Sequence, residues 1–354
     1  MRYIVGITFL SLLSVSSQVF GQASTCTQTL RLVQSTYEQG RLHELETLMG
    51  ACLINGFDDQ QKLQAYRYLT LAYIYLEEPE KADAAMLNLL NTDHFFEPVE
   101  GVDPAEFIAL YRKFRVRPLY RFGFKLGPTA TMPAIQEIYS VNANAQGNGK
   151  YSPSIGFSLG LVFEKDFPDF IKKFSIAPEV VFITRSYNYA NTLLNESDQN
   201  PGNAVISQDP NLQKQSWLDL NLLVQYKIKE NKFNPYISVG PGLGLLLKST
   251  NEIETGVEGQ GSITGSSVDT KESYKSLAYS AILSIGSKFR LGGFYLTGDI
   301  RYQYGLNNLV NTSSRGNAEA LFDYGYVPSN YSQNNFTINL GLVIPYFSPK
   351  KLIN

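Results

Sequence analysis

The chain has 354 residues, 44% apolar, 18% charged and 13% aromatic, which excludes intrinsic disorder and collagen-like repetition. Thirty basic side chains against 32 acidic ones leave a formal net charge of −2, so no general basic field is available for nucleic acid. Tyr and Phe number 23 and 21 against a single Trp, and only two His are present.

Residues 1–23 read as a secretory signal peptide. Arg2 supplies the positive start, Ile4 to Leu13 an apolar run, and Gly21-Gln22-Ala23 the small residues at the −3 and −1 positions. The run is shorter than the ~20 residues that a membrane-spanning helix needs. Lipidation at Cys26 is the competing reading, and the bulky Thr25 before it stands against that. Export puts the only cysteines, Cys26 and Cys52, in an oxidising compartment and predicts a disulfide between them. Leu30, Val33 and Tyr37 mark a helix, Gly40 breaks it, and Leu42, Leu45 and Leu48 mark another. Both cysteines then fall at the open end of one hairpin.

The helical period persists through residues 24–116. Tyr66, Leu69, Ala72 and Tyr73 share a face, Glu77-Glu78-Pro79 interrupts, and Ala82, Met86 and Leu89 mark the next helix. These offsets resemble a tetratricopeptide repeat of about 34 residues. That resemblance implies partner-docking helices carrying Tyr66, Leu69, Tyr73, Ala82 and Met86; a generic helical bundle is the alternative. A last helix is predicted from Asp103-Pro104 to Phe114, with Asp103 as N-cap and Pro104 in the first turn. The region holds 8 basic and 14 acidic residues, which suits a basic or amphipathic partner segment.

After Arg117-Pro118 the period becomes two. Eight segments alternate apolar and polar positions, beginning near Tyr120, Ile155, Phe174, Leu218, Ile237, Leu277, Phe294 and Phe336. Long polar connections at 128–151, 187–214, 249–273 and 308–333 alternate with short turns at 166–172, 229–232 and Gly292-Gly293. Long loops at one end and short turns at the other characterise outer-membrane barrels, with the short turns periplasmic. The expected fold is therefore an all-β, eight-stranded antiparallel transmembrane barrel at 117–347. A small all-α periplasmic domain at 24–116 precedes it, and a tail at 348–354 follows.

Two turns predict register. Gly292-Gly293 sets Leu291 opposite Phe294, Phe289 opposite Leu296 and Gly286 opposite Asp299, with Lys288 diagonal to Asp299. Across 229–232, pairing Ile228 with Phe233 sets Gln225 by Tyr236 and Asn221 by Gly240. The polar face carries Arg121, Lys125, Glu179, Arg185, Asp219, Asn221, Gln225, Lys288, Arg290, Asp299 and Arg301 among small residues. Opposite charges beside Gly and Ser suit a narrow, salt-bridged lumen, with the apolar face on lipid and Tyr and Phe in the interfacial girdles. A soluble barrel with an apolar inside shows the same period and is the alternative.

No catalytic, cofactor or metal pattern emerges. His43 and His94 both precede the barrel, so a Ser-His or Asp-His unit there lacks its base. Gly240-Pro241-Gly242-Leu243-Gly244 lies within a strand and opens no helix, unlike a nucleotide-binding loop.

The strand pattern over about 117–347, including Asn234-Pro235-Tyr236-Ile237-Ser238-Val239-Gly240-Pro241-Gly242, resembles the PorT-like outer-membrane β-barrel family of Bacteroidota. The resemblance implies no catalytic residue and an association with type IX secretion and gliding; the helical domain is additional to that family's plan. The expected protein is a non-enzymatic outer-membrane barrel that anchors a periplasmic docking domain. A narrow channel and a surface adhesin acting through the long loops are the alternatives.

Overall fold

The computed structural model describes residues 20–139, 149–167, 171, 173–191, 207–208, 211–229, 232–252, 254–257, 261–264, 267–315 and 327–352. Residues 1–19 of the expected signal segment lie outside them, and Phe20 to Ala23 belong to the first helix. The chain divides into two units: Leu119–Tyr346, and a helical unit made of the chain up to Pro118 together with the segment from Phe347.

The helical unit contains α1 (Phe20–Glu38), α2 (Leu45–Ile54), α3 (Asp59–Tyr75), α4 (Pro79–Thr92) and α5 (Ala105–Tyr111). Gly40 follows α1 at φ +76, a left-handed conformation that glycine adopts without a Cβ clash. Asp58 caps α3 by accepting from the Gln61 amide at 2.8 Å, and Gln61 Oε1 accepts from the Asp58 amide at 3.2 Å. This reciprocal pair satisfies two of the orphan donors at the helix start. Pro79 opens α4, where its missing N–H costs nothing. Val33, Leu45, Met49, Leu69 and Ala72 form one core with the two cysteines, and Met86, Leu89, Leu90, Phe107 and Phe114 a second.

Asp103 does not cap α5 as expected. Its Oδ1 accepts from Arg67 Nη2 at 2.6 Å and its Oδ2 from the Val99 amide at 2.7 Å. A buried carboxylate gains more from a guanidinium than from one helix-end amide.

The segment after the last barrel strand is built into the helical unit. Arg115 N–H donates to Lys350 O and Leu352 N–H to Lys113 O, each at 2.8 Å. The Phe347 ring lies 5.0 Å from both His94 and Phe95, stacked on the former and edge-on to the latter. Lys351 Nζ pairs with Asp83.

The other unit is a closed ring of eight antiparallel strands: β1 (Tyr120–Glu137), β2 (Gly149–Asp166), β3 (Phe174–Asn191), β4 (Asn211–Lys227), β5 (Phe233–Glu252), β6 (Leu277–Leu291), β7 (Phe294–Gly305) and β8 (Asn330–Tyr346). Each pairs with its sequence neighbours, and β8 returns to β1 with Tyr120 opposite Tyr346. The Gly292-Gly293 turn has the expected register: Leu291 faces Phe294 and Gly286 faces Asp299. Across 228–232 the pairing is displaced by two residues, with Gln225 opposite Ser238 and Asn221 opposite Gly242. The faces survive because side chains alternate with period two, so a displacement of two leaves every residue on its side.

The strands are longer than their alternation suggested. β1 continues to Glu137, β3 to Asn191 and β5 to Glu252, into segments expected as loops. At ~3.3 Å per residue, 18 residues of β1 extend about 60 Å, well beyond the 9–11 residues that cross a bilayer. Backbone pairing continues outside the lipid because the ladder does not depend on an apolar outer face. At the long-loop end, Ser207–Gln208, Glu254–Val257 and Gly261–Thr264 make a small separate sheet, and Val268–Asp269 pairs with β5. Among the described residues no helix is long and apolar enough to cross a membrane.

Candidate functional site

The inward positions of the eight strands form a solid column of paired charge. At its short-turn end, Arg121 on β1 donates from Nη1 and Nη2 to the Asp166 carboxylate at 2.7 and 3.0 Å, and Lys227 reaches Asp166 at 2.8 Å. One layer further in, Lys288 Nζ binds Glu164 Oε2 at 2.5 Å and Gln225 Oε1 at 3.0 Å, over the Tyr236 ring. The middle layer joins Lys125 to Glu179 at 3.2 Å and to Asp299 at 2.9 Å, with Arg301 on Glu179 at 2.8 Å. Asn339 and Tyr236 complete Asp299, donating at 2.9 and 3.3 Å. Above them Arg185 Nη2 meets Asp219 Oδ2 at 2.5 Å, and Gln303 donates to the same oxygen at 2.9 Å.

Ten of the eleven residues expected in the lumen thus line it. Asn221 is buried beside this network, whereas Arg290 is half-buried at the short-turn rim, where its backbone N–H donates to Lys232 O. The expected approach of Lys288 to Asp299 does not occur. Closure of the ring brings Lys288 to Glu164 on β2 instead, while Lys125 and Arg301 occupy Asp299. Glu164 and Asp166 were missing from the expected set, although they continue the polar phase of β2 from Ser158 and Gly160. The interior glycines give the polar side chains of the neighbouring strand their room: Cβ atoms at Gly242 and Gly244 would stand 2.7 and 2.8 Å from Asn221 Oδ1 and Asp219 Oδ1.

Aromatic side chains close the long-loop end. Trp217, Tyr187, Tyr274 and Tyr331 are buried inside with Ile183, Leu246, Leu309 and Val310. Tyr187 donates to Tyr331 Oη at 2.9 Å, and the Arg185 guanidinium lies 4.9 Å from the Trp217 ring. Tyr187 and Tyr331 fall in segments expected as loops, whereas Tyr236, expected beside Gln225 on the polar face, lies inside on that phase. All three sit inside because their positions fall on the inward phase, and their polar atoms find partners there. A mid-barrel cavity of about 20 Å³ lies between Lys125, Glu179, Asp219, Asn221, Arg301 and Asn339. That volume holds about one water molecule and no conduit.

The outward positions are apolar on every strand: Phe124, Leu159, Val180, Leu222, Val239, Leu283, Ile300 and Leu340 are all exposed. A continuous apolar belt of this kind marks a surface that meets lipid rather than water. With the charge inside and the apolar face outside, the soluble-barrel alternative fails on the placement of its core. The sequence model of the outer membrane protein beta-barrel domain matches residues 117–311.

The chain belongs to that outer membrane protein β-barrel family.

No curated protein sequence matches the chain. Among solved structures, it is similar to Neisserial surface protein A, at 9% identity and a TM-score of 0.33, over 64% of this chain and 97% of that one. It is also similar to a major outer membrane protein of Thermus thermophilus, at 12% identity and a TM-score of 0.33, over 64% and 99% of the two chains. The Yersinia pestis attachment invasion locus protein Ail, solved with a heparin analogue, aligns at 9% identity and a TM-score of 0.27, over 64% and 99%. As a member of the outer membrane β-barrel family, the protein resides in the outer membrane with its belt against lipid.

In the helical unit Cys26 and Cys52 form a disulfide with their Cα atoms 5.7 Å apart. Of the residues expected to mark docking helices, Leu69, Tyr73, Ala82 and Met86 are buried and Tyr66 is half-buried against the core. Leu69, Tyr73, Ala82 and Met86 hold the helices to one another, so a partner cannot touch those four without unpacking the unit. The reason is that the repeat-like spacing selects the shared inner face. His43 lies in a short turn before α2, and His94 Nδ1 is 2.8 Å from Leu90 O.

Proposed function

We propose that this outer-membrane barrel is a non-enzymatic anchor that holds a tetratricopeptide-like helical domain in the periplasm, where it docks an envelope protein. The observation that carries this reading is the filled lumen: buried ion pairs occupy it from the short-turn end past mid-barrel, where about 20 Å³ is left, and buried aromatic rings fill the other end. A barrel closed in this way serves as a membrane foot, and the adaptable surface is then the helical unit. The even strand number and long loops opposite the chain ends support placing that unit in the periplasm. The PorT-like resemblance supports an assignment to Bacteroidota and to a secretion, gliding or envelope assembly.

In-cell crosslinking of the full chain, followed by mass spectrometry, tests this directly. Reproducible crosslinks from exposed helical positions to one envelope protein are expected. Crosslinks confined to the long-loop end would favour surface adhesion. Steady single-channel conductance of the folded protein in a planar bilayer would replace the anchor by a narrow channel.

A further inference from the structure

The short-turn rim carries a run of cations outside the lumen. Lys173 O, just before β3, accepts from the Lys227 amide at 2.8 Å, and Lys232 O, just before β5, accepts from the Arg290 amide at 2.9 Å. Lys229 lies between them in the β4–β5 turn. Backbone pairing therefore orders Lys173, Lys227, Lys229, Lys232 and Arg290 along one arc across β3, β4, β5 and β6. Lys173, Lys229 and Lys232 are exposed, whereas Lys227 is tied to Asp166. Glu230 and Asp169 of the same turns lie outside the described residues.

Immediately on the barrel side of these lysines the exposed side chains are apolar and aromatic: Tyr226, Ile228, Phe233, Phe289 and Leu291. Lys173 Nζ stands 6.0 Å from the centre of the Tyr226 ring. At the long-loop end cations and acids are mixed: Lys214 is bonded to Glu252 at 2.6 Å, and exposed Lys271 lies between Asp269 and Glu272.

We propose that this arc binds the anionic headgroups of phospholipids in the leaflet beside the short turns. A lysine whose stem lies along a lipid-facing aromatic rim carries its ammonium to headgroup height. The arc follows the circumference of an apolar wall already immersed in lipid. Headgroups are thus the polar partner held against it, and phosphatidylglycerol supplies the complementary charge.

Native mass spectrometry of the folded full chain, presented with equal phosphatidylglycerol and phosphatidylcholine, tests the arc. Preferential retention of phosphatidylglycerol is expected. The K173Q/K229Q/K232Q variant should lose that preference by a factor on the order of tenfold. The K248Q/K271Q/K275Q variant at the other end should keep it, and excess inorganic phosphate should not displace the lipid. A heat-dependent gel shift verifies that each barrel is folded. Equal retention of the two lipids by the native chain, an unchanged short-turn variant, equal loss in the control variant, or displacement by phosphate would each overturn the proposal.

Discussion

Lys288 on β6 and Glu164 on β2, 124 residues apart in sequence, meet inside the barrel with both side chains buried. Removing only one charge strands the other in a low-dielectric interior, which costs more than replacing both. K288M should destabilise the folded barrel by about 3–5 kcal/mol, and K288M/E164M should recover most of that loss. Urea unfolding in detergent, followed by fluorescence of the single buried Trp217, measures both. Equal destabilisation by the single and double variants would contradict the pairing.

Gly127 is held by the closing seam between β1 and β8. A Cβ there would stand 1.8 Å from Ile338 O, a collision with backbone that no rotamer relieves. G127A should cost about 3 kcal/mol or prevent closure. G293A, with nothing within 4 Å of its Cβ position, should fold normally. The heat-dependent gel shift of refolded protein distinguishes them.

The disulfide constrains the start of the helical unit. Cys26 and Cys52 are separated by 26 positions, and closing a loop of that size removes roughly 3 kcal/mol of unfolded-state entropy. Reduction should lower the melting temperature of the helical signal at 222 nm and leave the barrel gel shift unchanged. An unaltered helical melt after verified reduction would show that packing alone holds α1 to α2.

The segment after β8 contributes to the helical unit through Phe347. F347A removes a half-buried ring from His94 and Phe95, a loss of about 1–2 kcal/mol. Hydrogen exchange at the Arg115 and Leu352 amides should accelerate, because their partners lie on the two sides of this ribbon. Exchange indistinguishable from the native protein would show that the Lys351–Asp83 pair and the backbone bonds suffice.

The helical unit should loosen at both pH extremes around one contact. Hydrogen bonds from Tyr73 and Lys81 hold the Glu46 carboxyl below its ordinary value. Its stabilising effect is therefore full above the usual glutamate range and is lost as pH falls through the lowered value. Burial, and then the Glu46 hydrogen bond, push Tyr73 up to about 12. That contribution is complete below the ordinary tyrosine value of 10.0 and disappears as pH rises through about 12. E46Q should flatten the acid limb and lower the tyrosinate midpoint read by absorbance. An acid limb unchanged by E46Q would assign it to other carboxylates.

How far the chain could be read depended on the range of the interaction. Leu291 opposite Phe294 was legible because a two-residue Gly-Gly turn leaves one register. Asn221 opposite Gly242 was not, because a five-residue connection permits displacements of two that preserve both faces. Glu164 is not legible as an inward charge, since its neighbours Leu161, Val162 and Phe163 are all apolar and hide the alternation. Asp103-Pro104 reads locally as a helix start, but the Asp103 carboxylate is claimed by Arg67 through a tertiary contact.

By itself, then, the amino-acid sequence determined which face of each strand is polar, how many strands close the ring, and where the helical region gives way to strands. These follow from periods of two and 3.6 residues and from turn chemistry within a few positions. Tertiary structure alone decided which cation meets which carboxylate, that Lys125 rather than Lys288 takes Asp299, and that Tyr187 meets Tyr331 inside. Ring closure sets those outcomes: it brings β2 against β6 across an interior that no pairwise strand register describes.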